Sequence, residues 1–169
     1  MDIRTFAFED DGRVPNNSKP LILYESAFLR EGTAPTAGAV MSHLQSNGWR
    51  GAWLNGIYPF HHYHARSHEV LVNVGGAVQV QFGGESGEVL TFSPGAAVVI
   101  PAGVGHCRLS PDDRLAIVGA YPAGQEDWDL KRADSTADYK AAQEQLARIT
   151  LPTRDPVTGQ KSPLLDHWR

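Results

Sequence analysis

Residues 56–76 read GIYPFHHYHARSHEVLVNVGG, and residues 95–106 read GAAVVIPAGVGH. Together the two stretches supply four side chains of the kinds that bind metal ions, namely His62, His64, Glu69 and His106. Three imidazoles and one carboxylate suit a borderline divalent ion such as iron, manganese, nickel, cobalt or zinc. The sequence therefore predicts one divalent transition metal ion held by these four side chains, without saying which metal it is.

Strand alternation gives these side chains a predicted geometry. His62 and His64 are two residues apart, so in a strand both project from one face and His61 projects from the other. Glu69 begins the next predicted strand, and His106 begins a third, just after a Pro-x-Gly turn. Strand starts that converge at one end of a barrel would bring the four ligands to one point, and barrel mouths are common sites for small molecules.

Strand and turn signals also dominate the rest of the chain, which contains 17 Gly and 11 Pro. Residues 1–30 resemble two strands around a polar turn. Residues 49–121 hold apolar runs separated by turn residues, a pattern typical of an antiparallel sandwich or barrel. The runs are GIYPFHHYH, EVLVNV, AVQVQF, EVLTF, AAVVIP, HCRLS and LAIVGAY. No helix of crossover length lies between them, so a parallel sheet is not expected.

Two short helices are predicted outside this strand-rich region. Residues 36–47 place Ala37, Val40, Met41 and Leu44 on one face, and Gly48 is a plausible stop. Residues 135–149 place Tyr139, Ala142, Leu146 and Ile149 on one face, with Ser135 as the predicted cap. The apolar end of the C-terminal tail, PLLDHWR, is expected to dock on the body of the protein.

The two stretches resemble the signature motifs of the cupin superfamily, G-x5-H-x-H-x3or4-E-x6-G and G-x5-P-x-G-x2-H-x3-N. The first motif matches at every fixed position, with four residues between His64 and Glu69. The second matches except at its last position, where Ser110 stands in place of Asn, and we expect that position to be structural. The wider stretches PNNSKP, GIYPFHHYHARSHEVL, IPAGVGH, VGAYPAGQ and PLLDHWR are similar to uncharacterised single-domain bacterial cupins of the YjlB-like type.

This resemblance implies an all-β fold, a jelly-roll-like antiparallel β-barrel of the cupin type with two short peripheral helices. We expect a single cupin domain over residues 1–169, with the motifs within 56–110 and a helical and extended C-terminal segment over 128–169. The resemblance also implies a homodimer, and a metal held by His62, His64, Glu69 and His106.

Cupins include metal enzymes of several reaction classes as well as storage, sensory and ligand-binding proteins, so the fold does not fix the function. The leading hypothesis is a metal-dependent enzyme of the dioxygenase or isomerase type that acts on a small polar organic molecule. On a six-coordinate ion the four ligands would leave two positions open for that molecule. The alternative is a non-catalytic cupin that binds or senses a small ligand.

Other side chains near the motifs have more than one interpretation. Tyr58 and Phe60 share parity with His62 and are expected to face the barrel interior, where Tyr58 is a candidate to offer its hydroxyl to a ligand. His68 either reaches the pocket rim as a proton-transfer group or packs elsewhere, and packing is favoured. Arg108 points into the barrel, where it would favour an anionic ligand, or lies at the mouth in solvent.

Alternation places Cys107 opposite His106, as a small buried hydrophobe rather than a ligand. The alternation of inward and outward residues cannot be carried across the turn at Gly75 and Gly76. The sequence therefore leaves open whether the two glutamines of AVQVQF or its valines face inward.

Composition excludes several other classes of function. The formal net charge is −4 with no basic run, which argues against nucleic-acid binding. No apolar stretch is long enough to span a membrane, and the acidic N-terminus lacks the apolar core of a signal peptide. A single cysteine cannot form an internal disulfide. The single cysteine fits a reducing cytoplasm, so we expect a cytoplasmic protein. The expected partners, a small molecule and a second copy of the chain, are implied by the metal site and by the cupin resemblance.

Overall fold

The computed structural model of the chain describes residues 1–111 and 113–169. These residues form eleven strands and three helices. The strands are β1 Asp2–Phe8, β2 Asn17–Glu25, β3 Trp49–Asn55, β4 His62–Tyr63, β5 Glu69–Asn73, β6 Val78–Phe82, β7 Glu88–Phe92, β8 Ala97–Ile100, β9 His106–Arg108, β10 Ile117–Pro122 and β11 Lys131–Arg132. The helices are α1 Ala37–Ser46, α2 Thr136–Leu146 and α3 Leu164–His167.

The strands are arranged in two sheets, in which every pair formed by the described residues is antiparallel. One sheet has six strands in the order β1-β2-β8-β5-β10-β3, and the other has five in the order β11-β4-β9-β6-β7. Neighbours in space are often far apart in sequence, as in a jelly roll. The predicted all-β, jelly-roll-like antiparallel class is therefore confirmed.

The main core lies between the two sheets. Leu21 and Leu23 of β2 pack there with Val80 and Phe82 of β6. The intervening Ile22 and its alternating neighbours point to the outer face of the six-stranded sheet, where α1 and the C-terminal tail cover them. Because β8 and the second half of β2 are buried on both faces, they contain the continuous apolar runs AVVI and LILY, whereas the edge strands β1 and β3 are mostly exposed.

The first predicted helix is confirmed and the second is shorter than predicted. Thr36 caps α1 by accepting a 3.2 Å hydrogen bond from the Ala39 amide, and the helix buries Val40 and Leu44. In α2 the Ser135 hydroxyl accepts from the Asp138 amide, as predicted, but Ala142 is the one buried residue of the helix. Ile149 lies beyond the end of α2, so the predicted apolar face was wrong at that position. The four-residue α3 was not predicted.

The C-terminal tail docks on the body, as the apolar residues at its end predicted. Trp168 is fully buried, and its indole N–H donates a 2.8 Å hydrogen bond to the carbonyl of Pro20 in β2. Leu164 joins the same cluster on the outer face of the six-stranded sheet. None of the helices formed by residues 1–111 and 113–169 is long and apolar enough to cross a membrane.

Candidate metal centre

The four candidate ligands come from both sheets and meet in the space between them. His62 in β4 and His106 in β9 are register partners in the five-stranded sheet. His64 follows β4 immediately, and Glu69 is the first residue of β5 in the six-stranded sheet. All four side chains are buried. The sheet packing thus brings together residues from three separate stretches of the chain.

Short distances connect these side chains. Glu69 Oε2 lies 3.2 Å from His64 Nε2 and 3.4 Å from His106 Nε2. Within the part of the chain that the structure describes, His64, Glu69 and His106 form a group whose ligand atoms all lie within 4.8 Å of one another. His62 stands beside this group, with its ring centroid 4.0 Å from that of His106.

The hydrogen bonds of the three histidines fix which ring nitrogen faces the cluster. His62 Nδ1 lies 2.9 Å from the Phe60 carbonyl, His106 Nδ1 lies 3.3 Å from the Val104 carbonyl, and His64 Nδ1 bonds to the carbonyl of Asp129. A carbonyl oxygen only accepts, so each Nδ1 must carry a proton. The lone pair of a neutral ring is then on Nε2. Metal-binding histidines are usually oriented in this way by a hydrogen bond from the other nitrogen.

Charge within the cluster is balanced by close contact. Burial alone would raise the pKa of Glu69, but contacts with His64 and His106 outweigh it and hold the pKa below its usual range. Burial would lower the pKa of His64, whereas Glu69 and Asp129 outweigh it and raise that pKa. Burial, with a further effect of His106, lowers the pKa of His62 to about 2. Glu69 is therefore an ionised carboxylate among imidazoles.

This donor set fits a divalent transition metal. Glu69 Oε2 is completely buried, and no group among residues 1–111 and 113–169 donates a hydrogen bond to it, despite its short distances to two imidazoles. A buried polar atom without a partner is costly. A cation between the carboxylate and the Nε2 atoms would satisfy it.

The cluster opens into a cavity of about 520 Å³. Its walls combine the four candidate ligands with polar and apolar residues: Gly51, Trp53, Leu54, Asn55, Gly56, Ile57, Tyr58, Pro59, Leu71, Arg108, Leu115, Tyr121 and Trp128. Cavities of this size hold small organic molecules. The arrangement can therefore present a small molecule directly to the cluster.

Tyr121 is a polar residue of the site that the sequence reasoning missed. It lies in β10 on the same face as Ile117, and its hydroxyl accepts a 2.8 Å hydrogen bond from the indole N–H of Trp53. Burial and the adjacent Glu69 carboxylate raise the pKa of Tyr121 well above its usual range, so the phenol keeps its proton. Alternation within LAIVGAY would have placed Tyr121 with Ile117, but not next to Glu69.

Asp129 is a second missed residue, and it holds His64 in place. Its carbonyl accepts the His64 Nδ1–H, and its carboxylate accepts hydrogen bonds of 2.9 Å from the amides of both Ala65 and Arg66. The neighbouring Trp128 places its ring 5.4 Å from the His64 ring. Both residues lie between β10 and β11, where no periodic pattern marks them in the sequence.

The predicted inward position of Phe60 was wrong. Residues 56–61 do not form a strand, so alternation does not extend back from His62. Phe60 is half-buried in the wall of a second cavity, with the Arg132 guanidinium 3.9 Å above its ring. Tyr58 does line the metal-site cavity, but at its mouth, with 46% of its surface exposed.

The other histidines and the cysteine near the motifs lie away from the four candidate ligands. His61 and Cys107 both line the second cavity, on the side away from the cluster, as alternation predicted. His68 is fully buried against Trp168, and its Nδ1 accepts a 2.9 Å hydrogen bond from the Ala102 amide. Burial lowers the pKa of His68 to about 4. It is absent from the cavity wall, which agrees with the favoured packing role.

The structure also resolves the open alternatives for β6 and for Arg108. The valines of AVQVQF face the core and its glutamines face outward. Arg108 lines the metal-site cavity, where its Nε and Nη1 donate to the carbonyls of Ile57 and Ser110 at 3.1 and 2.6 Å. Ser110 has the expected structural role, because its hydroxyl accepts from the Gln79 amide.

Two facing antiparallel sheets, with the motif histidines and glutamate gathered between them, define the chain as a cupin. The chain is 39% identical over 168 residues to the uncharacterized protein YjlB of Bacillus subtilis, covering 99% of this chain and 97% of that protein. It therefore belongs to the YjlB family of cupins. No family model matches the chain.

Solved structures that resemble the chain include a dioxygenase, a mutant of a decarboxylase and an 11S globulin. Acireductone dioxygenase from Bacillus anthracis, with a cadmium ion in its active centre, matches 63% of this chain and 79% of its own, with 13% identity and a TM-score of 0.41. A mutant of oxalate decarboxylase from Bacillus subtilis matches 70% of this chain and 29% of its own, with 13% identity and a TM-score of 0.38. Procruciferin of Brassica napus matches 50% and 22%, with 15% identity and a TM-score of 0.38. Neither a reaction nor a ligand carries over from such distant likenesses.

Proposed function

We propose that the chain is a metal-dependent cupin enzyme that acts on a small organic molecule at a site formed by His62, His64, Glu69 and His106. The observation that carries this proposal is the shared orientation of the three imidazoles. Each directs Nδ1–H to a backbone carbonyl, which leaves Nε2 available near Glu69 Oε2, an oxygen that accepts no hydrogen bond from the described residues. Such orientation has a clear use in metal binding.

A bound divalent ion would supply Lewis-acid polarisation of substrate oxygens and, if it were iron or manganese, access to oxygen chemistry. The protein side chains have separate tasks. Tyr121 keeps a protonated hydroxyl beside Glu69, from which it can donate to an oxygen of a bound molecule. The apolar side chains of Ile57, Leu71 and Leu115 exclude water from the cavity walls.

The cavity favours dioxygenation over isomerisation. Apart from the four proposed ligands, the titratable side chains among the described wall residues are Tyr58, Arg108 and Tyr121. This set contains neither a carboxylate nor an imidazole, which are the usual bases for moving a proton between carbon atoms. Oxygenation of a chelated substrate does not require a proton to be moved between carbon atoms.

The shared orientation of the three imidazoles also supports a second candidate function, a cupin that binds or senses a small ligand without turnover. A metal, an oriented donor set and a cavity are sufficient for binding, and no separate base is needed. The two candidates share the metal site and differ in whether the bound molecule is consumed.

Elemental analysis of the untagged protein tests the shared part of both candidates. About one divalent transition metal per chain supports them, and failure to hold a metal even after reconstitution contradicts both. Metal-loaded protein would then be incubated with chelating organic acids and diols under air and under nitrogen, and the products separated by chromatography and weighed by mass spectrometry. Products that gain oxygen atoms and form only in air indicate a dioxygenase, and a separable product of unchanged mass that forms under nitrogen indicates an isomerase. Binding without consumption favours the binding protein.

A further inference from the structure

The cavity has two chemically different parts. One part contains the candidate ligands and Tyr121, and the rest of the wall consists mainly of large apolar and aromatic side chains, with Asn55 and Arg108 as its other polar side chains. Two aromatic rings lie directly beside the ligands. The Tyr58 ring centroid is 5.1 Å from that of His62, and the Trp128 centroid is 5.4 Å from that of His64. A molecule that reaches the metal site must therefore lie close to aromatic surface.

The mouth of the cavity exposes apolar surface to solvent. Leu54, Tyr58 and Trp128 all line it, and they are 52%, 46% and 39% exposed. Single exposed apolar residues are ordinary on protein surfaces, but a group of them around a cavity is typical of a ligand site. A two-carbon acid would cover little of this surface, and cavities of about 300–1,000 Å³ accommodate larger molecules.

The aromatic wall is held in position before any ligand binds. Trp53 donates its indole N–H to Tyr121, and the Trp53 ring lies against Gly119, where an added Cβ would meet the ring at 2.1 Å. Tyr121 in turn stacks on Trp128, with ring centroids 6.0 Å apart and an interplanar angle of 19°. A fixed wall of flat rings favours a flat partner, because stacking adds to the burial of apolar area.

We propose that the substrate or ligand is amphipathic, with a chelating pair of oxygens attached to an aromatic or similarly flat apolar body. This inference rests on the proposed function, since the oxygens would bind the metal held by His62, His64, Glu69 and His106. The flat body lies between the cluster and the mouth, against Tyr58 and Trp128. Small, wholly polar acids are poor ligands of such a site.

Two hydroxamic acids test this inference, because they share one chelating group and differ in the attached body. Acetohydroxamic acid carries a methyl group and benzohydroxamic acid a phenyl ring. Calorimetric titration of the metal-loaded protein should give an affinity about tenfold or more higher for the benzohydroxamic acid. The corresponding ratio for the same metal ion in free solution corrects for the chelating strength of the two acids.

Variants locate the effect. Tyr58→Ala and Trp128→Ala should each reduce the corrected affinity ratio by about threefold or more, with metal content measured alongside. Leu151→Ala is the matched control, because Leu151 is 42% exposed and lies outside this cavity. It should leave the ratio unchanged.

The outcomes separate this inference from the proposed function. Equal corrected affinities for the two acids overturn the amphipathic ligand and leave the metal site standing. Failure of both acids to bind, or equal binding to metal-free protein, contradicts the proposed metal site. If the Tyr58 and Trp128 variants change the mass in light scattering while the ratio stays constant, the mouth is a contact between copies of the chain. That result also overturns the inference.

Discussion

His62 and His106 lie directly opposite each other on the neighbouring strands β4 and β9, and their ring centroids are 4.0 Å apart. Two buried imidazoles at this distance would repel each other if both were protonated, and His106 contributes to the low pKa of His62. The pair is suited to neutral rings that share a cation. His61, the chain neighbour of His62, lines the second cavity.

Loss of a ligand histidine should remove the metal, whereas loss of His61 should not. Variants that remove a ligand, namely His62→Ala, His64→Ala and His106→Ala, should each reduce metal affinity by more than about 100-fold. Loss of a residue that only orients a ligand costs about 10- to 100-fold, and loss of the ligand itself should cost more. Elemental analysis after dialysis measures the remaining metal. His61→Ala is the matched control, since it removes an imidazole one residue away. A metal-free His61→Ala protein together with a metal-loaded His62→Ala protein would mean that the assigned face of β4 is wrong.

Asp129→Ala should weaken metal binding without removing any ligand. Its carboxylate accepts hydrogen bonds from the amides of Ala65 and Arg66, and these bonds hold the backbone that follows His64. Loss of such an outer contact typically costs about 10- to 100-fold in metal affinity. A competition titration against a chromophoric chelator measures the change. Asp127→Ala is the control, because the Asp127 side chain is 95% exposed and makes a 3.6 Å ion pair with Arg66. Equal affinities for the two variants would contradict a positioning role for Asp129.

The sequence predicted the faces of the histidines in and next to β4. His62 and His64 were expected on one face with His61 on the other, and the observed cavity walls agree. Their role as ligands stays a prediction. Phe60 was misplaced because alternation holds only within an extended strand, and the backbone before His62 is irregular.

The residues that support the site could not be predicted in the same way. Asp129 is 65 positions from the imidazole that it orients. Asp129 reaches His64 because the segment after β10 packs against residues 64–66. This contact depends on tertiary packing rather than on a local sequence pattern. Tyr121 has the correct parity in β10, yet its contact with Glu69 depends on how β5 and β10 pair. The two motifs were sufficient to predict the fold because they include the strands β4, β5, β8 and β9. They do not include the residues that surround and support the four candidate ligands.

We expect a homodimer that forms at the edge of the six-stranded sheet. β1 is an edge strand of that sheet, and unpaired edges are usually covered. Pairing with a second copy would cover it, and two-fold dimers are the commonest assembly. Light scattering at micromolar concentration should give twice the 18.4 kDa chain mass.

A charge at this edge should shift the protein towards the monomer. Ile3→Glu places one in β1, where Ile3 is 36% exposed. Val89→Glu is the matched control on β7, an edge of the other sheet, where Val89 is 50% exposed. Dissociation by Val89→Glu alone would place the contact on the other sheet. A monomer mass for the unaltered protein would contradict the dimer altogether.

Asp155→Ala should destabilise the fold by releasing the C-terminal tail. The Asp155 carboxylate is fully buried, and four groups donate to it: the Tyr24 hydroxyl and the amides of Val157, Thr158 and Leu164. Burial and this carboxylate raise the pKa of Tyr24 above its usual range, so the hydroxyl stays a donor. Removal of the acceptor leaves these donors unsatisfied, and each costs about 1–3 kcal/mol if it stays buried.

The expected loss in the free energy of unfolding is therefore about 3 kcal/mol or more, a large part of the 5–15 kcal/mol that is typical of a domain. Urea denaturation measures it, and limited proteolysis would show earlier cleavage after residue 150 because α3 and Trp168 lose their anchor. Asp166→Ala is the control, since the Asp166 side chain is 50% exposed and makes a 3.0 Å ion pair with Arg169 at the surface. Its effect should stay within about 0.5 kcal/mol. If both variants unfold at the same urea concentration, Asp155 does not anchor the tail, and the stability of the outer face must come from the apolar contacts of Trp168 and Leu164.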